Sequence, residues 1–221
     1  MLVEFRKDDI VRHLGLLDLQ RTMQRALRRS GLPVSYSKGY NPHILVTFAS
    51  ALSTGASGKR ELMDVTLEEP VTPEAFLEAM NRALPPDMQL QSARVLEDRH
   101  PALMAMVAAA DYTIRVMDEA AAEAFRAGLP GFLRQETIMA LRKTKSGEKA
   151  CDIRPLLHEL TMEGDSLHAV MTLTEQESCK PDMLVKALSA HCGVEVPRVM
   201  VVRNALLGRN EMGALVPLET L

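Results

Sequence analysis

The chain has 221 residues, 47% of them hydrophobic and only 4% aromatic, with three tyrosines and no tryptophan. A chain this long and this apolar can bury one or two ordinary cores without staples, and the absence of any run of about 18 apolar residues argues against a membrane-spanning helix. Its formal charge of −3 hides a division: residues 1–60 hold ten Lys and Arg against four Asp and Glu, while residues 61–221 hold sixteen against twenty-five. The basic first quarter points to an anionic partner at that end.

The opening "MLVEFRKDDI" carries charges where a signal peptide needs an apolar core. Cys151, Cys179 and Cys192 are odd in number and widely spaced, with neither a CxxC nor a histidine at ligand spacing. A cytoplasmic protein without disulfides, bound metal or cofactor is expected.

In chain order, "MLVEFRKD" reads as a strand and residues 15–30 as a helix stopped by Gly31, with Pro33 just beyond. Two strands follow, "HILVTFAS" and "RELMDVTLEE", joined by the small-residue turn "STGASGK". "VTPEAFLEAMNRAL" is a second helix, with Thr72 as N-cap, Pro73 at the first helical position and Glu74 in the first turn. "DMQLQSARVLE" then alternates as a strand. The order β-α-β-β-α-β is that of a ferredoxin-like module.

From Asp111 the order recurs: strand "DYTIRVMD", a helix over 119–133, strand "TIMALRKTK", turn and strand "KACDIRPLLHELTMEG", strand "SLHAVMTLTEQ", helix "KPDMLVKALSAHCG" and closing strand "RVMVVRNALL". The expected fold class is α+β, two tandem ferredoxin-like modules: a basic one over 1–100 and an acidic one over 108–221, divided within "EDRHPALMAMVAAA".

Around the first helix, at about 100° per residue, Arg21, Arg25, Arg28 and Arg29 share one side, and Leu16, Leu19, Met23, Ala26 and Leu27 the other. Asp18, three residues before Arg21, is the carboxylate placed to orient those guanidinium groups. A solvated face is the ordinary reading of a charge run, but four arginines without a lysine suit planar recognition of phosphate or carboxylate.

The loop "YSKGYNPH" follows, with Tyr36, Ser37, Lys38, Tyr40, Asn41 and His43, and chain connectivity should place it near Arg28 and Arg29. Gly39 permits a turn that other residues resist, and Pro42 stiffens the exit. Tyrosine offers a stacking face, asparagine reads edges and histidine exchanges a proton near neutral pH, so the set suits a nucleotide or another anionic planar group. Packing of the tyrosines beneath the loop is the plainer alternative. His158 and His168, ten residues apart on strand-like segments, read as lone polar residues. No GxxxxGK[ST], strand-to-helix GxGxxG, HExxH or GxSxG occurs, so those signatures of nucleotide hydrolysis, dinucleotide redox, zinc proteolysis and α/β-hydrolase chemistry are missing.

The stretch "LLDLQRTMQRALRRSGLPVSYSKGYNPHILVTFASALSTG", with "CDIRPLL" and "RVMVVRNALL" later, resembles the bacterial radical SAM-linked, or radical SAM-associated, protein family over nearly the whole chain. Two positions depart from its pattern: Gly15-Leu16 stands where the family has Ser-His, and Ile44 where it has proline. The resemblance implies a domain of unassigned biochemical function, found alone or beside a radical S-adenosylmethionine enzyme. With no CxxxCxxC of its own, this chain leaves radical chemistry to a partner. The expectation is an accessory protein that binds RNA or another anionic substrate for that enzyme. The alternatives are an RNA-processing or RNA-modifying enzyme using His43, and a protein-interaction scaffold.

Overall fold

A computed structural model describes residues 1–96, 100–144 and 147–221. The chain is mixed α+β, with five α-helices and a predominantly antiparallel sheet among the described residues. It divides into two compact units, one of residues 1–107 and 205–221 and one of residues 108–204.

In the first unit β1 (Leu2–Lys7), α1 (Leu16–Ser30), β2 (Val46–Phe48), β3 (Ala56–Val65), α2 (Pro73–Ala83) and β4 (Leu90–Arg94) appear in the expected order. Strand β1 lies between β3 and β4, antiparallel to both, and β2 pairs antiparallel with the far end of β3. Helix α1 forms because Leu19, Met23, Ala26 and Leu27 repeat at helical spacing and are buried, while Gly31 ends it in the left-handed conformation at φ 75°. Thr72 caps α2 as expected, its hydroxyl accepting from Ala75 N at 3.3 Å. The buried face of α1 packs into a core with Val3, Phe5, Met63 and Phe76, and the Phe5 ring meets Phe48 edge-on at 5.8 Å. Burying each large side chain of this kind stabilises the unit by about 1.5–3 kcal/mol.

In the second unit β5 (Ala109–Val116) leads into α4 (Glu119–Leu133), and β8 (Leu157–Glu163) and β9 (Ser166–Thr172) precede α5 (Pro181–Cys192). Strand β9 lies antiparallel between β5 and β8. Three strands are expected between the two helices, and the described residues form four. "TIMALRKTK" is β6 (Met139–Thr144), and it pairs with β7 (Gly147–Asp152) in a two-stranded sheet of its own. Strand β7, "GEKACD", lacks the apolar alternation that announces a half-buried strand, because most of its residues are exposed.

The closing residues also differ from the expected boundary. Strand β10 (Val199–Arg209) belongs to the second unit through Asn204 and to the first from Ala205 on, followed by α-helix-free residues that include β11 (Leu215–Pro217). Asn204 donates to Asp111 Oδ1 at 3.1 Å and Thr113 Oγ1 at 2.9 Å in the second unit. In the first unit Leu206 and Leu218 are buried, Arg60 pairs with both Glu4 and Glu219, and Arg94 donates to the carbonyl of Leu221. Contacts across more than a hundred residues leave no local pattern, so a reading in chain order assigns such residues to their neighbours. Between the units in sequence, α3 (Leu103–Met106) occupies part of the expected linker; residues 97–99 lie outside the described residues.

Candidate anion-binding surface

Amphipathicity puts the arginines of α1 in solvent: Leu19, Met23, Ala26 and Leu27 of its apolar side are buried, Leu16 in the first turn is exposed, and Arg21, Arg25, Arg28 and Arg29 are all exposed. Asp18 meets Arg21 at 3.4 Å as the i,i+3 spacing predicted, an exposed pair of little energetic weight. Among the described residues, Arg25 and Arg28 have no ion-pair partner. Arg29 behaves differently, donating from Nη2 to the carbonyl of Ala83 at 2.7 Å and so capping the C-terminus of α2. Here Arg29, Ser30, Ala79, Arg82 and Ala83 line a shallow cavity of about 190 Å³. Arg82, which the sequence reading passed over, brings a second guanidinium to that cavity, although it also pairs with Glu78 at 2.9 Å.

The loop is a hairpin with a hydrogen-bonded stem and a bare tip. Leu45 N donates to Ser35 O at 2.9 Å and Ser37 N to His43 O at 2.8 Å, while Ser35 N donates to Thr66 O at 2.9 Å and so fixes the stem to the residues after β3. Ile44 is 1% exposed and joins the core, which gives a physical reason for an apolar residue at this position. The tip, residues 38–42, is exposed throughout, with Gly39 at φ 129° making the reversal. Tyr36 is 44% exposed, and Tyr40 at 105% is as open as a side chain can be. Neither tyrosine packs beneath the loop.

Ser37 and His43 are brought together. The Ser37 hydroxyl accepts from His43 N at 3.1 Å and lies 2.8 Å from His43 Nδ1. Among the described residues no carboxylate orients His43, and no hydrogen bond or ion pair joins the loop to the arginine stripe. Chain connectivity alone links them, through Gly31, Leu32 and Pro33.

A cleft of about 450 Å³ beside the stem escaped the sequence reading. Asp64, Glu68, Glu69, Val95, Leu96 and His100 help line it, and His100 Nε2 lies 3.2 Å from Asp64 Oδ2. No local signal could have found this pair, whose members are 36 residues apart and belong to a strand and a connection. His158 and His168 are tied to neighbours in the second unit's sheet, at 2.9 Å from Thr172 Oγ1 and 3.5 Å from Thr113 Oγ1.

Two thiols are poor nucleophiles near neutrality: burial pushes Cys179 up to about 12 and raises Cys192. Among the described residues no three His, Cys, Asp or Glu side chains gather as metal ligands, and no helix is long and apolar enough to cross a membrane.

A search of curated proteins finds no match. A family model does match, over residues 1–186, and its description is "Uncharacterized protein conserved in bacteria (DUF2344)". The chain belongs to this family of uncharacterized bacterial proteins.

Proposed function

We propose that this DUF2344 protein is a cytoplasmic RNA-binding accessory that presents an anionic substrate to a separately encoded radical S-adenosylmethionine enzyme. The observation that carries the reading is the bare hairpin tip: Tyr40 stands fully exposed beside Lys38 and Asn41 on a stem braced by the core. An aromatic ring held out on a rigid support loses little entropy when a base stacks on it. Arg25 and Arg28, exposed and without carboxylate partners among the described residues, are suited to phosphates. The partner enzyme comes from the family resemblance of the sequence, and the acidic second unit is the surface we assign to it.

We read both units as ferredoxin-like. The β4-β1-β3-β2 pairing of the first supports this, as does the β5-α4-β8-β9-α5-β10 order of the second once the hairpin β6–β7 is set aside as an insertion.

The 2.8 Å approach of Ser37 Oγ to His43 Nδ1 favours a second reading, an RNA-processing or RNA-modifying enzyme with His43 as acid or base. Changing His43 separates the two. A binder loses affinity and has no turnover to lose, whereas an enzyme loses turnover while binding persists. The direct test is titration of the protein with a labelled single-stranded oligoribonucleotide at 50–200 mM salt, with a search of the native host for copurifying protein and RNA. Absence of RNA binding at the lowest salt would overturn the first reading.

A further inference from the structure

The hairpin β6–β7 lies outside the β-α-β-β-α-β pattern and, among the described residues, pairs with no other strand, forming a separate two-stranded sheet. Its cross-strand register puts Ala140 opposite Cys151 and, next along the same face, Arg142 opposite Lys149. Ala140 is buried and Cys151 half-buried, so this face is anchored at the base and turns basic toward the tip.

Like charges directly opposite one another on a β-ribbon are destabilising. Among the described residues no carboxylate pairs with Arg142 or Lys149 to relieve them. Glu148 falls one register position from this pair, at a position of the other face, and Asp152, three positions away, is engaged elsewhere: its Oδ1 accepts from Ile138 N at 2.8 Å and from Arg154 N at 2.9 Å. The opposite face exposes Met139 (57%) and Leu141 (56%), apolar surface beside the charged ribbon. The hairpin segment is basic inside an otherwise acidic part of the chain: residues 139–152 hold four Lys and Arg against two Asp and Glu. A cationic ribbon outside the main sheet, with opposed cations and flanking apolar side chains, is suited to a phosphate backbone, whose negative charge removes the repulsion.

We propose that Arg142 and Lys149 form a phosphate-binding clamp on the hairpin β6–β7, a contact for RNA distinct from the YSKGYNPH loop. The choice of RNA as the source of phosphate rests on the reading in the previous section; the clamp itself rests on the register and charge of the hairpin.

The test uses the full chain, the double variant R142Q/K149Q and the charge-retaining R142K. Anisotropy of a labelled oligouridine is followed from 50 to 200 mM salt, and thermal melting is measured with and without inorganic tripolyphosphate. The clamp predicts that R142Q/K149Q binds oligouridine several-fold more weakly, with a salt slope shallower by about 1.4 for two lost single-strand contacts. R142K should bind like wild type. Tripolyphosphate at about ten times its Kd should raise the wild-type Tm by roughly 3–6 °C and leave the double variant unmoved. Without ligand, the double variant should melt at or above the wild-type temperature, since the opposed charges are gone; a lower Tm would mean the cations are structural and would overturn the proposal. Wild-type-like RNA binding by the double variant overturns the clamp while leaving the RNA-binding function intact. If wild type binds no RNA yet tripolyphosphate still raises its Tm through this pair, the clamp stands with small polyphosphates as its ligand, and the functional reading falls. If neither ligand acts through the pair, the clamp falls.

Discussion

Arg29 and Ala83 are 54 residues apart in sequence, and the guanidinium of one donates to the backbone carbonyl of the other at 2.7 Å. The bond satisfies a carbonyl that the end of α2 would otherwise leave to water, so one of the four arginines of α1 serves the fold. This divides the stripe into roles that can be measured. Arg29→Ala should cost about 1 kcal/mol of stability and change RNA affinity little. Arg25→Glu and Arg28→Glu should leave stability nearly unchanged, weaken RNA binding and each lower the salt slope by about 0.7. Denaturant melts and salt-dependent titrations on the same three proteins check the division. Equal loss of binding in all three would return Arg29 to the ligand surface.

Tyr40 makes the opposite prediction to a core aromatic. Its side chain is fully exposed, so Tyr40→Ala should melt within about 2 °C of wild type, since surface changes are usually within ±0.5 kcal/mol. If a base stacks on it, the same change should weaken RNA binding by about 1–3 kcal/mol without altering the salt slope, because stacking releases no counterions. A shallower slope, or no loss of affinity, would contradict the stacking role.

Gly208 is required by packing within the first unit. A Cβ added there would stand 2.4 Å from Leu221 Cδ1, 2.9 Å from Leu218 Cδ1 and 3.0 Å from the carbonyl oxygen of Met106. The leucine tips can rotate, but the carbonyl cannot move alone. Gly208→Ala should therefore destabilise the protein by about 1–3 kcal/mol, an overpacking cost. A urea melt will show whether the midpoint falls.

Cys179 supplies a pH dependence. Burial raises it from an ordinary thiol value of 9.0 to about 12, so the folded protein holds its proton where the unfolded chain has released it. This contribution to stability is fully present below pH 9 and is lost as pH rises from about 9 toward 12. Cys179→Ala should flatten that alkaline decline relative to wild type. At pH 8, a thiol reagent should modify half-buried Cys151 well before buried Cys179 in the native protein. Rapid native-state labelling of Cys179 would contradict the assignment.

Local chemistry decided much of this molecule. The period of Leu19, Met23, Ala26 and Leu27 determined α1 and which way its arginines face, Gly31 its end, and Thr72-Pro73 the start of α2. The YSKGYNPH loop was legible because Gly39, Asn41 and Pro42 admit few backbone paths other than a turn. The tertiary structure decided what depends on residues far apart in sequence. It turned Arg29 from the stripe to Ala83, joined Asp64 to His100, and placed residues 205–221 with the first unit. It also set β6 and β7 apart from the main sheet, with Arg142 opposite Lys149 in their register. Helix periods and turn residues act over a few neighbours and leave a pattern in the sequence. Contacts such as Asp64 with His100, or residues 205–221 with the first unit, need long loops to close, for which no local pattern exists, while β7 escaped because its exposed residues lack the apolar alternation of a half-buried strand.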